Sequence, residues 1–510
     1  MKPLTRTDHS VKNAYITTVS RMVAILMGFA TRVVFTRTLS ESYVGINGLF
    51  TDILNVLALS ELGIETAITF ALYRPIAQDN KEEQKSLMRL YSWYYRIVAA
   101  MVLVIGLLFL PFMDLLIKNE PDVDHLTLIF LLYLFNSVLS YLFIYKKTLM
   151  DAHQLLYVGL LYQTIFWVLQ DILQIIVLIT TKNFILFLLI FILCTLGSNI
   201  CISRRAGKLY PYIREKKVKP LPREKKQEIF KNIKAMFLHK IGNVAVNSTD
   251  NLILSSFVGI RSTGIYSNYF LIIQSINQIL NQMFHGIAAS VGNLGVEKTP
   301  HRVKKVFEIT VFISHWVYGF GAICLYELLN PFVILSFGEN YLFPKEIVLI
   351  LCINFFIVGM KDTTLVFRDS LGLFWYDRYI SLICALINLL LSILLVIQFG
   401  TIGVFLGTLI SMLLTTAWLE PFFFYKYYLK MPSTKYFLRY IGYIISIGAI
   451  WGITDYFCRR IEGGLILVLF LRFILCLVIP NIIMLAIYFP RAEFKFVWNK
   501  LSKVLKNLKR

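Results

Sequence analysis

The sequence predicts an all-α polytopic membrane protein of about fourteen transmembrane helices. Three observations carry that prediction. Of 510 residues, 57% are hydrophobic and 16% charged, and the mean hydropathy is +0.67, far more apolar than a water-soluble domain. Apolar stretches of roughly 20 residues recur along the chain, each long enough to cross a hydrocarbon core as a helix. Lysine and arginine concentrate in alternate intervening segments: with the amino terminus inside, inner segments hold forty and outer loops only seven. That asymmetry places both termini in the cytoplasm, and it explains the net charge of +21 as a topology and lipid-headgroup signal, not a nucleic-acid footprint.

In chain order the expected spans are 11–36, 44–66, 92–117, 126–148, 155–180, 184–203, 236–259, 264–290, 305–327, 346–367, 379–398, 402–424, 437–457 and 465–488. Pro331, Gly338 and Pro344 interrupt the ninth and tenth and leave an expected outer loop from Leu328 to Lys345. The segment from Arg204 to Lys234 is rich in lysine and carries Pro211, Pro220 and Pro222, the composition of a linker. The expected organisation is therefore a six-helix lobe (1–203), a basic cytoplasmic linker (204–235), a second six-helix lobe (236–424), two further helices (425–488) and a basic cytoplasmic tail (489–510). An even span count in the first lobe makes any repeat between lobes a parallel one. At an offset of 219, FTRTLSESYVGINGLF (35–50) lies on LSSFVGIRSTGIYSNY (254–269), matching Gly45 to Gly264 and Ile46 to Ile265. Short glycine turns between helices are the plainer explanation of that match.

The first span holds two arginines, Arg21 and Arg32, and no acidic residue from 11 to 35. Each costs about 2.5–3.5 kcal/mol at mid-bilayer if it faces lipid. Eleven residues at 100° each come to about three turns plus 20°, so the two guanidiniums share one face and an anionic ligand is expected there. Arg32 can also be a snorkelling anchor near the outer surface. At the 219 offset Arg21 falls on Lys240, and the two are expected to face each other across the inner end of a cavity.

Polar stripes recur at helical spacing in other spans. The seventh carries Asn243, Asn247, Asp250, Asn251 and Ser255, and the eighth carries Gln274, Asn277, Gln278, Asn281, Gln282 and His285. Steps of three and four put each set on one face, where amides cannot meet lipid without a large desolvation cost. Single amides of this kind also bond helix to helix; two continuous stripes point to a cavity. The expected ligand contacts are Arg21, Arg32, Lys240, Asn247, Asp250, Asn251, Gln274, Asn277, Gln278 and Asn281. Span five adds Gln163, Gln170, Asp171 and Gln174. Asp52, the pair Glu61 and Glu65, Arg74, Asp171, Arg368 and Arg378 are the expected ion-coupling or gating groups. Two carboxylates one turn apart suit a coupling cation or proton; the plainer reading of Glu61 and Glu65 is a solvated pair bridged to Arg74.

Enzymatic readings find no support. The seven cysteines and the histidines show no metal-ligand spacing, no GxxxxGK[ST] or GxGxxG stands between a strand and a helix, and the outer loops are too short for a catalytic domain. No metal, no cofactor and no cleavable signal are expected. Arginine binds phosphate bidentately and stays charged when partly buried. Amide faces near Trp93, Tyr266 and Tyr269 suit sugars. Together these describe a glycosylated lipid diphosphate whose tail stays in the bilayer.

The segments LALSELGIETAITFALYRPIA (57–77), STDNLILSSFVGIRSTGIYSNY (248–269) and FRDSLGLFWYDRY (367–379) resemble those of bacterial oligosaccharide flippases. These are polysaccharide-export members of the multidrug/oligosaccharidyl-lipid/polysaccharide (MOP) superfamily. The resemblance implies a multi-pass protein of the bacterial plasma membrane that moves undecaprenyl-diphosphate-linked repeat units for capsule, O-antigen or exopolysaccharide. It implies as partners the lipid-linked substrate, membrane lipids, a coupling cation or proton and the polysaccharide assembly machinery. It also implies a cationic central cavity, a character that Arg21 and Arg32 match. Two alternatives stand beside it: a cation-coupled multidrug exporter of the same superfamily, which would use Asp52, Glu61, Asp171 and Asp250, and a membrane glycan polymerase or ligase.

Overall fold

The computed structural model describes residues 6–57, 71–72, 75–76, 78–113, 117, 123–153, 155–215, 218–227, 229–230, 249–285, 300–371, 373 and 379–499. The described residues are overwhelmingly helical and contain no strand. Eleven of their helices are long and apolar enough to cross a membrane. The chain is an all-α, multi-pass membrane protein. The other three expected spans, 44–66, 236–259 and 264–290, lie partly outside the described residues; the described part of the last belongs to a helix that ends at His285.

The chain divides into two compact units, 1–267 and 268–510. The first contains α1 (Arg6–Thr38), α2 (Glu41–Leu57), α3 (Lys81–Phe109), α4 (Leu126–Ala152), α5 (Leu156–Thr181), α6 (Phe184–Leu209) and a helical stretch from 249 ending in the π-helical turn Leu254–Val258. The division falls inside α7 (Ile260–His285). Within this unit α1 packs on α5, α4 packs on α3 and α6, and α5 packs on α6.

Helix α3 begins about three turns before the expected span. Asn80 caps it, accepting from Glu83 N at 3.1 Å, and its first turns are bound by the basic segment after α6. Lys85 donates to Glu215 at 2.7 Å, Ser86 donates to the Lys219 carbonyl at 2.6 Å, and Tyr212 donates to Gln84 at 2.5 Å. Asn183 caps α6 in the same way, accepting from Leu186 N.

The crossing of α2 with the start of α7 is glycine-built. A Cβ on Gly264 would stand 2.7 Å from the Glu41 carbonyl oxygen and 3.0 Å from Gly45 N. A Cβ on Gly45 would meet the Ile260 carbonyl. The two glycines matched by the 219 offset thus face each other across one contact. Arg261 closes the same end with an ion pair to Glu41 at 2.7 Å.

The second unit contains α8 (Pro300–Phe337), α9 (Lys345–Ser370), α10 (Ile380–Phe399), α11 (Thr401–Leu414), α12 (Thr416–Phe423) with a π turn Phe424–Leu429, α13 (Thr434–Cys458) and α14 (Leu465–Tyr488). Helix α8 runs through Pro331 to Phe337, so the expected loop from Leu328 shrinks to the short turn around Glu339–Tyr341. The reason is local. Proline cannot donate to the carbonyl four residues back, here that of Glu327, and Arg472 Nη1 on α14 reaches that oxygen at 3.5 Å. The freed acceptor is satisfied by a neighbouring helix, as a membrane interior requires. Helices α10 and α11 form a hairpin about the single residue Gly400, at φ +60°. It closes so tightly that a Cβ on Gly403 would meet the Leu395 carbonyl and one on Gly407 the Ser392 side chain.

Candidate functional site

Arg21 and Arg32 lie on α1 as the spacing predicts. Val19, Met22, Leu26 and Ala30 form the outward apolar stripe of that helix, and the arginines point about 130° away from it. Arg21 is exposed. Arg32, three turns on, is half-buried, with its guanidinium carbon 5.9 Å from the Phe35 ring centre. The charged face of α1 therefore runs from an open end at Arg21 to an enclosed one at Arg32.

At that enclosed end, α2, α4, the 249–258 stretch and α7 build a polar network. Asn251 Nδ2 donates to Asp52 Oδ2 at 2.5 Å, and Asn55 donates to Asp52 Oδ1 at 3.4 Å. The Tyr133 hydroxyl on α4 donates to Asn47 and feels the charge of Arg32. Tyr266, fully within the core, donates to Asp250 at 3.4 Å and feels the charges of both Asp250 and Asp52. Gly48 opens the way: a Cβ there would meet the Ser267 hydroxyl and stand 3.8 Å from Asn251 Nδ2. The helices can approach closely enough to pair these groups only because both Gly45 and Gly48 lack side chains. Among the described residues, one guanidinium and two carboxylates share the region. Asp250 and Asn251, expected as ligand contacts, are thus joined to Asp52, expected as a coupling group, in one network.

Elsewhere the expected residues separate. Asp171 on α5 is buried beside Thr31 of α1, and below it Gln174 accepts from Gln170 and donates to the Phe187 carbonyl. In the second unit, Asn277 and Asn281 accept from the Tyr318 hydroxyl at 3.2 and 2.9 Å; Gln274 and Gln278 are half-buried. Arg368 is buried in the last turn of α9. Glu61, Glu65, Arg74, Lys240, Asn247 and Arg378 lie outside the described residues, and with Lys240 so does its expected pairing with Arg21.

Two groups of residues were not anticipated. Tyr133 supplies a hydroxyl to the network, and so does Tyr266, which the sequence offered only for its aromatic face; nothing in a lone tyrosine on an apolar helix announces its partner. In the second unit, Glu327 and Asp455 are buried near Arg472, with Asp455 paired to Arg459 at 2.6 Å. Arg459, Arg472 and Lys345 are the cations around these two acids. Glu327 and Arg472 are ionisable residues inside apolar spans, the same signal that singled out Arg21.

The sequence pattern of the polysaccharide biosynthesis protein family matches residues 10–287, more than half of the chain and all of the network just described. The chain belongs to that family. No curated protein matches it in sequence. Among solved structures it is similar to the lipid II flippase MurJ in an inward closed conformation, with a TM-score of 0.62 and 15% identity over 94% of this chain and 99% of that one. An inward-facing multidrug resistance MATE family transporter of the MOP superfamily gives 0.64 and 14% identity over 79% of this chain and 95% of that one. The Vibrio cholerae MATE transporter VcmN gives 0.53 and 16% over 82% and 98%. These likenesses show the fold, which the chain shares with the MurJ and MATE structures.

Proposed function

We propose that the protein is a flippase that moves undecaprenyl-diphosphate-linked oligosaccharide repeat units from the inner to the outer leaflet of the plasma membrane, by alternating access between two six-helix lobes. One observation carries this reading: a membrane-spanning helix of a polysaccharide biosynthesis family member presents two arginines on one face, away from its apolar stripe. A diphosphate is the ligand for which bidentate, permanently charged donors are best suited. Arg21, exposed, makes the first contact and Arg32 a later one. An uncompensated headgroup of about two negative charges gains roughly 4–5 kcal/mol per 100 mV on moving outward, driven by an inside-negative potential, so no nucleotide is required. The Asp52–Asn251 and Asp250–Tyr266 pairs form the coupling element, where a cation or proton offsets the carboxylate charge. The MurJ fold, whose solved representative is a lipid II flippase, is in keeping with a lipid-linked substrate.

A second reading, a cation-coupled multidrug exporter, is favoured by the same two carboxylates and by the MATE likeness. The two are separated in proteoliposomes containing a fluorescent lipid-linked oligosaccharide. Transfer between leaflets without glycosidic change, reduced about tenfold or more in Arg21→Gln, supports the flippase. Efflux of a cationic dye that survives Arg21→Gln and is abolished in Asp52→Asn supports the exporter. Growth of the glycan chain would replace both readings with a polymerase. Transfer undiminished in Arg21→Gln and Arg32→Gln would remove the arginines from the site.

A further inference from the structure

Wholly within the 1–267 unit, α4, α5 and α6 enclose a cavity of about 140 Å³. Lys147 from α4, Gln163 from α5, and Ser198 and Asn199 from α6 line it, with Phe166 and Trp167 as aromatic walls. Trp167 is 41% exposed and forms part of the rim. Ile202 belongs both to the lining and to a small buried cluster with Met150 and Ala206.

The polar lining is unusual in what it lacks. Lys147, Gln163, Ser198 and Asn199 make no hydrogen bond or ion pair with any other described residue. Its neighbour Lys146 behaves differently, donating to Ser203 at 2.7 Å and lying over the Tyr145 ring. The Lys147 stem runs across Gly159, where a Cβ would stand 3.3 Å from its Cγ. The lysine and the amides line the same cavity. The cavity lining has no acidic residue to offset the ammonium charge.

The volume holds about five waters at roughly 30 Å³ each. Water satisfies amides and hydroxyls, but it leaves the positive charge without a counter-charge. The lining offers one ammonium, three carboxamides (Gln163, Gln170 and Asn199) and three hydroxyls (Ser140, Thr195 and Ser198), all groups that can donate to a tetrahedral oxyanion. We propose that this cavity binds a phosphate group, with Lys147 supplying the charge and Gln163, Ser198 and Asn199 the neutral donors. The phosphate is either the phosphodiester of a phospholipid, its glycerol against Phe166 and Trp167, or free inorganic phosphate. The site is separate from the arginine face of α1 and does not depend on the flippase reading.

The test uses the full-length protein in non-ionic detergent and native mass spectrometry. Phosphatidylglycerol, or a diacylglycerol of the same chains without phosphate, is titrated in. The wild type is expected to retain one phosphatidylglycerol that diacylglycerol does not replace. Lys147→Gln is expected to weaken that species about tenfold, the size of one charge-assisted contact. Asn199→Ala weakens it to a smaller degree and carries the test should the lysine variant fail to fold. Lys146→Gln leaves it unchanged, and lipid held elsewhere survives Lys147→Gln. Isothermal titration with inorganic phosphate distinguishes the sources. Millimolar phosphate that binds the wild type, displaces the lipid and fails to bind Lys147→Gln identifies free phosphate; lipid retention indifferent to it identifies the phospholipid. Equal retention of phosphatidylglycerol and diacylglycerol, no binding of any probe, or wild-type binding in both the Lys147 and Asn199 variants overturns the proposal.

Discussion

Replacing Gly264 by alanine sets two known effects against each other. Alanine in place of glycine within a helix is worth about 0.5–1 kcal/mol in backbone entropy. At Gly264 the added Cβ would stand 2.7 Å from the Glu41 carbonyl oxygen and 3.0 Å from Gly45 N. Both are backbone atoms on α2, and neither can rotate away as a side-chain tip can. Restoring the ordinary contact of 3.4 Å requires the helices to part by about 0.7 Å. Overpacking of this kind costs about 1–3 kcal/mol, which exceeds the propensity gain. Gly28 on α1 is the control, because nothing lies within 4 Å of its added Cβ. The assay is thermal unfolding in detergent, with the two variants measured beside the wild type. Gly28→Ala is expected to hold or raise the apparent Tm, and Gly264→Ala to lower it by at least roughly 2 °C. Equal shifts in the same direction would refute the idea that close backbone approach at this crossing decides the outcome.

Two further outcomes follow from contacts described above. A double-mutant cycle with Asp52→Ala and Asn251→Ala should give a coupling of roughly 1.5–3 kcal/mol, the range for a hydrogen bond to a charged acceptor; additive effects on unfolding would show that the pair does not act as a unit. His153, in the turn after α4, stacks on Tyr210 at 4.4 Å, and its burial holds its pKa below the usual 6.5, against a smaller opposing pull from Asp79. A depressed histidine pKa means that the unfolded chain takes up the proton first, so this contribution is present above pH 6.5 and is lost as pH falls through 6.5 toward the folded value. The apparent Tm should therefore drop between pH 7.5 and 5.5, and His153→Phe should flatten that part of the profile; an unchanged slope in the variant would assign the effect elsewhere.

What could be read from the sequence divides by distance along the chain. The shared face of Arg21 and Arg32 follows from eleven steps of helical geometry, and hydropathy is a property of consecutive residues, so the spans emerge as well. The bond between Asp52 and Asn251 joins residues 199 apart, and no local pattern says which of several intramembrane amides meets which acid. The helix through Pro331 misleads for a related reason. A proline reads as a break until Arg472, 145 residues away from Glu327, is seen to take the freed carbonyl. Lys147 was absorbed into the count of inner-side cations. Composition places Lys146 and Lys147 at the same helix end, and only the packing of α5 and α6 turns one of them into a cavity while the other finds a serine. The amide stripe of the eighth span shows the opposite case: its spacing was plain, but two of its amides are held by Tyr318.

The α10–α11 hairpin has a consequence for assembly order. Its contacts join residues separated by a one-residue turn, so almost no loop-closure entropy opposes them, and Gly403 and Gly407 let the two backbones meet with no side chain to rearrange first. The 35 residues from Ile380 to Leu414 can therefore close on one another as soon as the second helix has been made. Helices α8 and α14, which pack together across more than a hundred residues of intervening chain, must wait for the carboxyl-terminal part of the protein. In temporal terms the hairpin is an early fixed piece on which the late-arriving α13 and α14 complete the second unit.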